Sequence, residues 1–336
     1  MTSGQQSSGA VAATVSTVGG PVGADRLGTT LMHEHVFVLN AEMQQNRTDW
    51  DEEERVADAV VRLNEAAALG VDTIVDVTVI GLGRYVPRLQ RIAAATPVNI
   101  VVATGIYTYG DVPFWFYMRR PTRGPETDPM VDFFVGDITD GIGGTGVRAG
   151  ILKCVTAEQG LTPDVERVLR AVAHAHRRTG VPITTHSVAA LRNGLDQQRV
   201  FAEEGVDLSR VVVGHSGDTT DLDYLRRLMD AGSTIGMDRF GLDTLLPFED
   251  RVATVAALCR EGYADRMVLS HDASCWLDWF DPDRGAQLRA ALPRWHYRHI
   301  HEDVLPALDK SGVGPDEIRT MLVDNPRRLL SPVSPY

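Results

Sequence analysis

The sequence contains few cysteines, and their positions argue against the sites that cysteine usually builds. Only Cys154, Cys259 and Cys275 occur in 336 residues, they lie far apart, and none belongs to a CxxC pair. An odd number at this spacing argues against a disulfide framework and against a thiolate zinc site. We therefore expect the chain to fold in a reducing compartment, with the cytoplasm as the simplest location.

Positive charge and long apolar runs are also scarce. The chain has 33 Lys and Arg against 45 Asp and Glu, which gives a formal charge of −12. This balance argues against nucleic acid or an anionic membrane surface as a partner. No apolar run approaches the roughly 20 residues that a transmembrane helix requires. A small-molecule substrate that is neutral, or is attracted by bound cations, is the expected partner.

The N-terminal segment lacks the basic start and the hydrophobic core of a signal peptide. Residues 1–13 are rich in Ser, Gly, Gln and Ala, a composition typical of disordered tails, and we assign residues 1–14 to such a tail. The chain is 43% hydrophobic and has no Pro/Ser-rich linker, so residues 15–332 are predicted to form one domain. This domain begins with a short hairpin around residues 19–23.

From residue 29 onward, strand-like apolar runs alternate with amphipathic helical patterns, several of which end at a glycine. The predicted strands are 29–38, 71–79, 99–107, 149–155, 182–186, 210–215, 234–240 and 267–271. The clearest predicted helices are 51–69, 163–179, 191–204, 221–231 and 247–261, and residues 295–330 read as closing helices. Eight such units predict an α/β protein with a (β/α)8 TIM barrel, and a doubly wound sheet is the alternative.

Residues 141–146 match the pattern GxGxxG, which is one signature of dinucleotide binding. Here the glycines follow a helical pattern and precede a strand. A dinucleotide fingerprint requires the reverse order, because the pyrophosphate binds at the N-terminus of the following helix. We therefore interpret the segment as a helix-to-strand turn.

His33 and His35 lie two residues apart within the first predicted barrel strand. Side chains of a strand alternate between its faces, so both imidazoles point to the same side. Two converging imidazoles are good ligands for a divalent metal ion, although two buried histidines with other partners remain the alternative. His174 and His176 have the same spacing within a helical pattern, which separates the rings, and we predict that they lie on the surface.

Further polar residues occur at the carboxyl ends of predicted strands, where barrel enzymes hold their active sites. Lys153 lies inside an apolar strand, where an unpaired ammonium group is costly. His186 and His215 end the fifth and sixth strands, and Asp272 follows the eighth. Each could singly be a core residue or a helix cap, but their recurrence at one end of the barrel predicts a shared site. The remaining histidines, which are predicted to support the site or lie on the surface, are His271, His296, His299 and His301.

These motifs resemble those of the phosphotriesterase group of the amidohydrolase superfamily, and most closely its phosphotriesterase-like lactonase branch. The resemblance extends from about residue 15 to residue 330. The motifs are TLMHEH at 30–35, TVIGLGR at 78–84, ATGIYTY at 103–109, GILK at 150–153, TH at 185–186, GHSGD at 214–218, GMDRFGLD at 236–243 and SHD at 270–272. The N-terminal extension has no counterpart in this pattern.

The resemblance implies a binuclear metal centre. It assigns His33, His35 and Asp272 to the more buried ion, His186 and His215 to the more exposed ion, and Lys153, carboxylated on its amine, to a bridge between both. A hydroxide would also bridge the two ions and attack the substrate. Zinc is the expected metal, and cobalt, manganese or iron suit the same ligands.

The implied reaction is the hydrolysis of an ester bond. The resemblance makes Asp272 the proton shuttle, places Tyr107 beside the hydroxide and Arg239 at the mouth of the pocket, and counts these as the catalytic residues. The predicted substrate pocket consists of Tyr107, Tyr109, Arg239, Trp276 and Trp279. A tryptophan at the position of Trp279 also lies at the dimer interface of this branch, which implies a homodimer.

Two apolar loops indicate the class of substrate. Residues 274–293 and 113–117 are rich in aromatic and apolar side chains, which suit an acyl or alkyl chain better than a sugar or a charged phosphate. The short turn at residues 240–247 is similar to the lactonase branch. The resemblance thus implies a lactonase that hydrolyses N-acyl-homoserine lactones, an activity that quenches quorum sensing, with organophosphate triesters as side substrates.

The alternatives are a dedicated phosphotriesterase, a cyclic amidase and a barrel that keeps its metals without catalysis. At Ala273 and Ser274 the chain departs from relatives that often carry a bulkier residue or cysteine, which bears on the acyl-chain preference.

Overall fold

One curled parallel sheet, preceded by a small antiparallel hairpin, forms the centre of the protein. The computed structural model describes residues 13–46 and 50–336, so residues 1–12 of the predicted tail lie outside the described residues. The hairpin pairs β1 (Thr14–Thr17) with β2 (Gly20–Gly23), as predicted. The sheet contains β3 (Thr30–Val38), β4 (Thr73–Asp76), β5 (Asn99–Gly105), β6 (Ile151–Val155), β7 (Ile183–His186), β8 (Val211–Val213), β9 (Thr234–Met237), β10 (Met267–Leu269) and β11 (Ser274–Leu277).

The sheet closes on itself through its last two strands. β10 pairs with β9, and β11 pairs with β3, so together they serve as the eighth barrel strand with a break at residues 270–273. The break stays bonded to β3, because Asp272 donates its N–H to the His33 carbonyl at 3.1 Å and His35 donates to the Ala273 carbonyl at 2.9 Å. The closed order confirms the predicted (β/α)8 barrel and excludes a doubly wound sheet.

Helices surround the sheet and begin and end where local signals predict. The Asp51 side chain accepts a hydrogen bond from the Glu54 N–H at the start of α2, and α6 ends at Gly180, whose φ of 74° suits glycine. The α-helices of the described residues are α1 (Ala41–Asn46), α2 (Glu52–Ala68), α3 (Val86–Ala93), α4 (Phe114–Tyr117), α5 (Pro129–Thr139), α6 (Pro163–Thr179), α7 (Gly194–Glu203), α8 (Leu222–Asp230), α9 (Phe248–Arg260), α10 (Pro282–Ala291), α11 (Leu305–Lys310), α12 (Pro315–Arg319) and α13 (Asn325–Leu330). Two π-helical turns, Ile300–Val304 and Thr320–Asp324, lead into α11 and α13.

Apolar side chains fill the amino-terminal part of the barrel and leave its carboxyl end to polar groups. The larger core cluster lies between the sheet and the helices. The second cluster fills the barrel interior and is sealed by residues of the hairpin and of the C-terminal helix: it contains Val15, Leu27, Met32, Val75, Val101, Ile151, Val212, Val268, Leu329 and Leu330. Polar residues at the carboxyl end therefore share an interior that the apolar packing closes from below.

Three further features concern the glycine-rich segment, the cysteines and the apolar character of the helices. The glycine-rich segment at residues 141–146 joins α5 to β6 and is the predicted helix-to-strand turn. All three cysteines are free and buried. Among the helices of the described residues, none combines the length and the apolar character needed to cross a bilayer.

The prediction that His174 and His176 lie on the surface is wrong. His176 is buried, donates from Nδ1 to the Val181 carbonyl at 2.6 Å, and contacts the Tyr336 hydroxyl through Nε2 at 2.7 Å. His174 is half-buried, and its Nε2 lies 3.0 Å from a carboxylate oxygen of Glu204. The helical spacing does separate the two rings, but α6 packs against neighbouring helices and the C-terminal residues, which cover both.

Candidate metal centre and catalytic cavity

Four of the predicted ligands meet at the carboxyl end of the barrel beside β3. His33 and His35 lie on β3, Lys153 lies on β6, and Asp272 lies in the break between β10 and β11. The Lys153 Nζ lies 3.0 Å from the His33 Nε2. The Asp272 Oδ1 lies 3.2 Å from the His35 Nε2 and 3.6 Å from the His33 Nε2. The structure therefore brings together residues that are far apart in the sequence.

The two remaining predicted ligands complete the cluster. His186 ends β7 and His215 follows β8, and their ring centroids lie 4.5 Å apart. The His215 ring lies 4.6 Å from the His33 ring, and its Nε2 lies 3.8 Å from the Asp272 Oδ2. All six predicted metal-site residues thus surround one point at the barrel mouth.

Asp238 is a site residue to which the sequence analysis assigned no role. It directly follows β9, is buried, and places one carboxylate oxygen 3.0 Å from the His33 Nδ1 and the other 3.0 Å from the His215 Nδ1. One carboxylate thereby orients two imidazoles so that both Nε2 atoms face Asp272. The predicted strand at residues 234–240 placed Asp238 inside the strand, whereas the observed strand ends at Met237, so its strand-end position is visible only in the structure.

His35 has a different support. Its Nδ1 lies 2.8 Å from the Thr78 hydroxyl, which belongs to the loop after β4. The backbone N–H of Thr78 is in turn held by the buried Asp76 carboxylate at 3.0 Å. An imidazole ring whose Nδ1 is held by a hydrogen bond keeps its other nitrogen, Nε2, available to bind a metal ion.

The protonation states in this cluster are those that metal binding requires. Burial lowers the pKa of His33, and burial together with the nearby Arg239 guanidinium lowers the pKa of His186 and His215 well below the usual range, so the rings are neutral. Burial by itself raises the pKa of Asp272, but the Arg239 guanidinium and the hydrogen bond with His35 outweigh it and hold the pKa well below its usual range. Neutral imidazoles beside an ionised carboxylate form a good ligand set for a divalent cation.

Lys153 differs from an ordinary lysine because it is 1% exposed. Burial lowers the pKa of its amine from 10.5 to about 8. Its Nζ donates a hydrogen bond to the Thr185 carbonyl at 3.2 Å, in addition to the contact with His33. A substantial fraction of free amine is therefore available near neutral pH, and a free amine can react with carbon dioxide.

Glu34, which lies between the two histidines of the motif, supports the break in the eighth strand. Asp272 adopts a φ of 54° there, a left-handed conformation that non-glycine residues rarely adopt. The buried Glu34 carboxylate accepts hydrogen bonds from the Ser270 hydroxyl at 3.0 Å and from the N–H groups of His271 and Ala273 at 2.9 Å each. His271 also donates from Nδ1 to Glu34 at 2.7 Å, so its predicted place among the supporting histidines agrees with its contacts. These four hydrogen bonds hold the strand break that presents Asp272 to the cluster.

The other predicted supporting histidines lie farther out. His299 is buried and donates to Asp303, and its ring lies 6.5 Å from that of His271. His296 and His301 are half-buried.

A cavity of about 490 Å³ opens above the cluster. Tyr107, Tyr109, Arg239 and Trp279, which are four of the five residues assigned to the substrate pocket, line it. The Tyr107 hydroxyl lies 3.5 Å from the His186 Nδ1 and 2.9 Å from the Tyr109 hydroxyl. The apolar part of the wall includes Leu242, Leu245, Leu277, Phe280, Leu288 and Leu292.

Trp276 does not line this cavity, which contradicts the predicted pocket. Trp276 on β11 is the strand partner of Phe37 on β3. The centroid of its ring lies 6.1 Å from that of Trp50, and the Arg55 Cζ lies 3.6 Å above its ring centroid. The strand thus places Trp276 on the helix-facing side of the barrel. Aromatic content alone could not assign the two tryptophans of this loop to different sides.

Arg239 connects the cavity wall to Asp272. Its Nε donates to the Asp272 Oδ2 at 2.9 Å, and its Nη1 donates to the Asp218 Oδ2 at 3.0 Å. Asp218 also lines the cavity, although it was not among the predicted site residues. A second carboxylate thus holds the guanidinium against the metal-site carboxylate.

Comparison with known proteins adds a second line of support to this geometry. The model of the Phosphotriesterase family matches residues 13–330. The chain belongs to the phosphotriesterase family. A phosphotriesterase homology protein of Mycobacterium tuberculosis is 60% identical over 94% of this chain and 97% of its own length. An aryldialkylphosphatase of Saccharolobus solfataricus is 42% identical over 91% of this chain and 95% of its own length.

A solved structure agrees with the same assignment. The phosphotriesterase from Mycobacterium tuberculosis superposes with a TM-score of 0.92 at 58% identity and covers 96% of this chain and all of its own. The protein is therefore a hydrolase of the phosphotriesterase family, and its site is consistent with the hydrolysis of ester bonds.

The residues of this phosphotriesterase-family site fit divalent metal ions. In the described residues, two groups of side chains place all their ligand atoms within 4.8 Å of one another: His33, His35 and Asp272, and His33, His215 and Asp238. The donors are imidazole nitrogens and carboxylate oxygens, and most of them are buried. Such a set suits zinc and its first-row neighbours.

Proposed function

We propose that the protein is a binuclear metal-dependent lactonase that hydrolyses lactones with apolar acyl chains, including N-acyl-homoserine lactones, and hydrolyses organophosphate triesters as a side activity. The observation that carries the proposal is the division of the cavity into a polar floor and an apolar wall. The floor contains the histidine cluster and Asp272, whereas the wall is made of leucine and aromatic side chains. A ring ester held at the floor would leave its acyl chain against the wall.

The metal centre is part of this proposal. His33, His35 and Asp272 would hold one divalent ion, His186 and His215 a second, and Lys153, carboxylated on Nζ, would bridge them. Such ions supply Lewis acidity and lower the pKa of water so that it is a nucleophile at neutral pH.

The side chains then position the substrate and move the proton. Asp272 has a depressed pKa and is ionised, so its carboxylate can accept a proton during attack and return it to the departing alkoxide. Burial, aided by Tyr109, raises the pKa of Tyr107, so its hydroxyl stays protonated and can donate a hydrogen bond to the substrate. Arg239 keeps Asp272 oriented through the bond at 2.9 Å.

A dedicated phosphotriesterase is the second candidate, and one observation favours it specifically. The relative from Saccharolobus solfataricus that is 42% identical carries the name aryldialkylphosphatase. Comparing kcat/KM for a long-chain N-acyl-homoserine lactone with kcat/KM for an aryl dialkyl phosphate triester decides between the two. We expect the larger value for the lactone, and a larger value for the triester would overturn the proposal.

Two controls belong to the same experiment. Chelation followed by dialysis should abolish both activities, and full activity after metal removal would contradict the proposed centre. Turnover of a hydantoin without lactone turnover would instead indicate a cyclic amidase.

The two tryptophans of the last barrel loop provide a matched pair of variants. Trp279 lines the cavity, whereas Trp276 packs on Trp50 and Arg55 outside it. We expect Trp279→Ala to lower kcat/KM more for long-chain than for short-chain lactones, because part of the apolar wall is lost. Trp276→Ala should leave the ratio of the two values unchanged. Equal effects of both variants on this ratio would count against the apolar wall as the acyl site.

The homodimer and the cytoplasmic location stay proposals. Trp279 is 47% exposed at the cavity mouth, which leaves half of its surface for a second copy of the chain. Light scattering of the purified protein should give the mass of a dimer, and the mass of a monomer would contradict this part of the proposal.

A further inference from the structure

Arg251 on α9 is a buried arginine that the proposed reaction does not use. Only 1% of the residue is exposed, although a guanidinium group carries five N–H donors and a full charge. It donates hydrogen bonds to the carbonyls of Gly217 at 2.8 Å, Leu246 at 3.2 Å and Leu242 at 3.3 Å. It also forms an ion pair with the Asp218 Oδ1 at 2.7 Å. Removing a buried charge from such a site leaves its partner groups unpaired.

The ion pair with Asp218 connects Arg251 to the reacting end of the cavity. The other oxygen of Asp218 accepts a hydrogen bond from Arg239 at 3.0 Å, and Arg239 donates to Asp272 at 2.9 Å. The four side chains form a row of alternating charge, in which Arg251 is the most deeply buried member and the one that does not line the cavity. Asp218 is thus shared between two guanidinium groups, one on each of its oxygens.

The carbonyl contacts of Arg251 join two loops of the barrel mouth. Gly217 belongs to the loop after β8, whereas Leu242 and Leu246 belong to the loop after β9. Leu242 and its neighbour Leu245 form part of the apolar wall. Because one rigid guanidinium group contacts both loops, the position of this wall is tied to the position of Asp218.

We propose that Arg251 is a positioning residue for ester hydrolysis. It holds Asp218, and through it Arg239, against Asp272, and it fixes the part of the cavity wall that contains Leu242. The inference rests on the proposed function in one respect, namely that hydrolysis takes place beside Asp272. It does not depend on whether lactones or triesters are the better substrates.

The test compares Arg251→Met and Arg251→Lys with a matched buried arginine. Arg210 is 6% exposed and donates to the carbonyls of Arg328, Leu329 and Ser331, but it lies at the opposite end of the barrel. For Arg251→Met we expect kcat/KM to fall about 10- to 100-fold for both a lactone and a triester. Arg210→Met should lower the melting temperature without changing kcat or KM.

Arg251→Lys separates the two parts of the role. A lysine keeps the positive charge beside Asp218 but lacks the planar fork that contacts both loops. We therefore expect kcat to recover towards the wild-type value while KM for a long-chain lactone stays raised. Metal content, measured by elemental analysis of each variant, should equal that of the wild type.

Wild-type kinetics in Arg251→Met, or an equal kinetic loss in Arg210→Met, would overturn the inference. If Arg251→Met does not fold, Arg251→Lys decides, and an unchanged KM would then be the contradicting result. Failure of the lactonase proposal gives a different result, because the wild type would then hydrolyse the triester but not the lactone. In that case the variants would be compared on the triester. A wild-type protein that hydrolyses neither substrate would overturn both proposals.

Discussion

The low pKa of the Lys153 amine makes carboxylation of this residue testable without any metal ion. Burial lowers the pKa from 10.5 to about 8. At neutral pH this shift corresponds to an about 300-fold larger fraction of free amine than in an exposed lysine. The free amine attacks the carbon of carbon dioxide and loses a proton, which gives a carbamate whose single negative charge is shared by two oxygens. We expect carboxylation of the metal-free protein to rise with pH and to reach its midpoint near pH 8.

The assay uses protein that has been stripped of metal by chelation and incubated with isotope-labelled bicarbonate at a series of pH values. The carbamate signal is followed by nuclear magnetic resonance. Lys153→Met is the control, because its side chain has similar length and no amine. Since Lys153 Nζ lies 3.0 Å from the His33 Nε2, the carbamate oxygens would form among the histidines. Uptake of added metal ions should therefore increase with the carbamate signal.

Two results would refute this reasoning. One is a carbamate signal that is equally strong in Lys153→Met. The other is a midpoint near the ordinary lysine value of 10.5, which would mean that burial does not shift the pKa as the structure indicates. Metal uptake that is independent of bicarbonate would exclude the bridging role while leaving the pKa argument intact.

Three further predictions concern the residues around the cluster. In Asp238→Asn only one amide oxygen remains to accept hydrogen bonds from the Nδ1 atoms of His33 and His215. Metal affinity should therefore fall about 10- to 100-fold in a chelator competition. Unchanged affinity would contradict this role of Asp238. Glu34→Gln places an amide N–H against the backbone N–H of Ala273, so the free energy of unfolding should fall by about 2 kcal/mol in denaturant titration. Wild-type stability in this variant would show that the carboxylate is not needed there. In the metal-free protein, Lys153 binds more protons in the unfolded chain than in the folded chain between pH 8 and 10.5. The free energy of unfolding, measured relative to Lys153→Met, should therefore rise with pH in that range. A difference that falls with pH would contradict this prediction.

Much of the fold was predictable from local patterns. Each predicted barrel strand contains an observed strand, and the helix ends coincide with Asp, Thr and Gly signals, because periodicity and capping depend on neighbouring residues only. Five of the observed strands, β4, β5, β8, β9 and β10, end before the carboxyl ends of the predicted runs. His215 and Asp272 lie just beyond regular β-structure with positive φ, where the backbone bends to present them.

The roles of supporting residues could not be predicted in the same way. Asp238 orients two histidines from two other strands, and Arg251 contacts two loops from a helix, and neither contact leaves a periodic signal in the sequence. The same reason explains the two tryptophans. Whether Trp276 or Trp279 faces the cavity depends on how β11 pairs with β3, which is a contact between the two ends of the chain.

The sequence by itself determined the alternation of strands and helices and the identity of the six predicted ligand residues that gather at the barrel mouth. It did so because strand faces and strand ends are local properties that repeat at a fixed period. Only the tertiary structure decided which carboxylate supports which histidine, which aromatic ring faces the cavity and which buried charge holds the wall. Those choices depend on distances of about 3 Å between elements that closure of the barrel alone brings together.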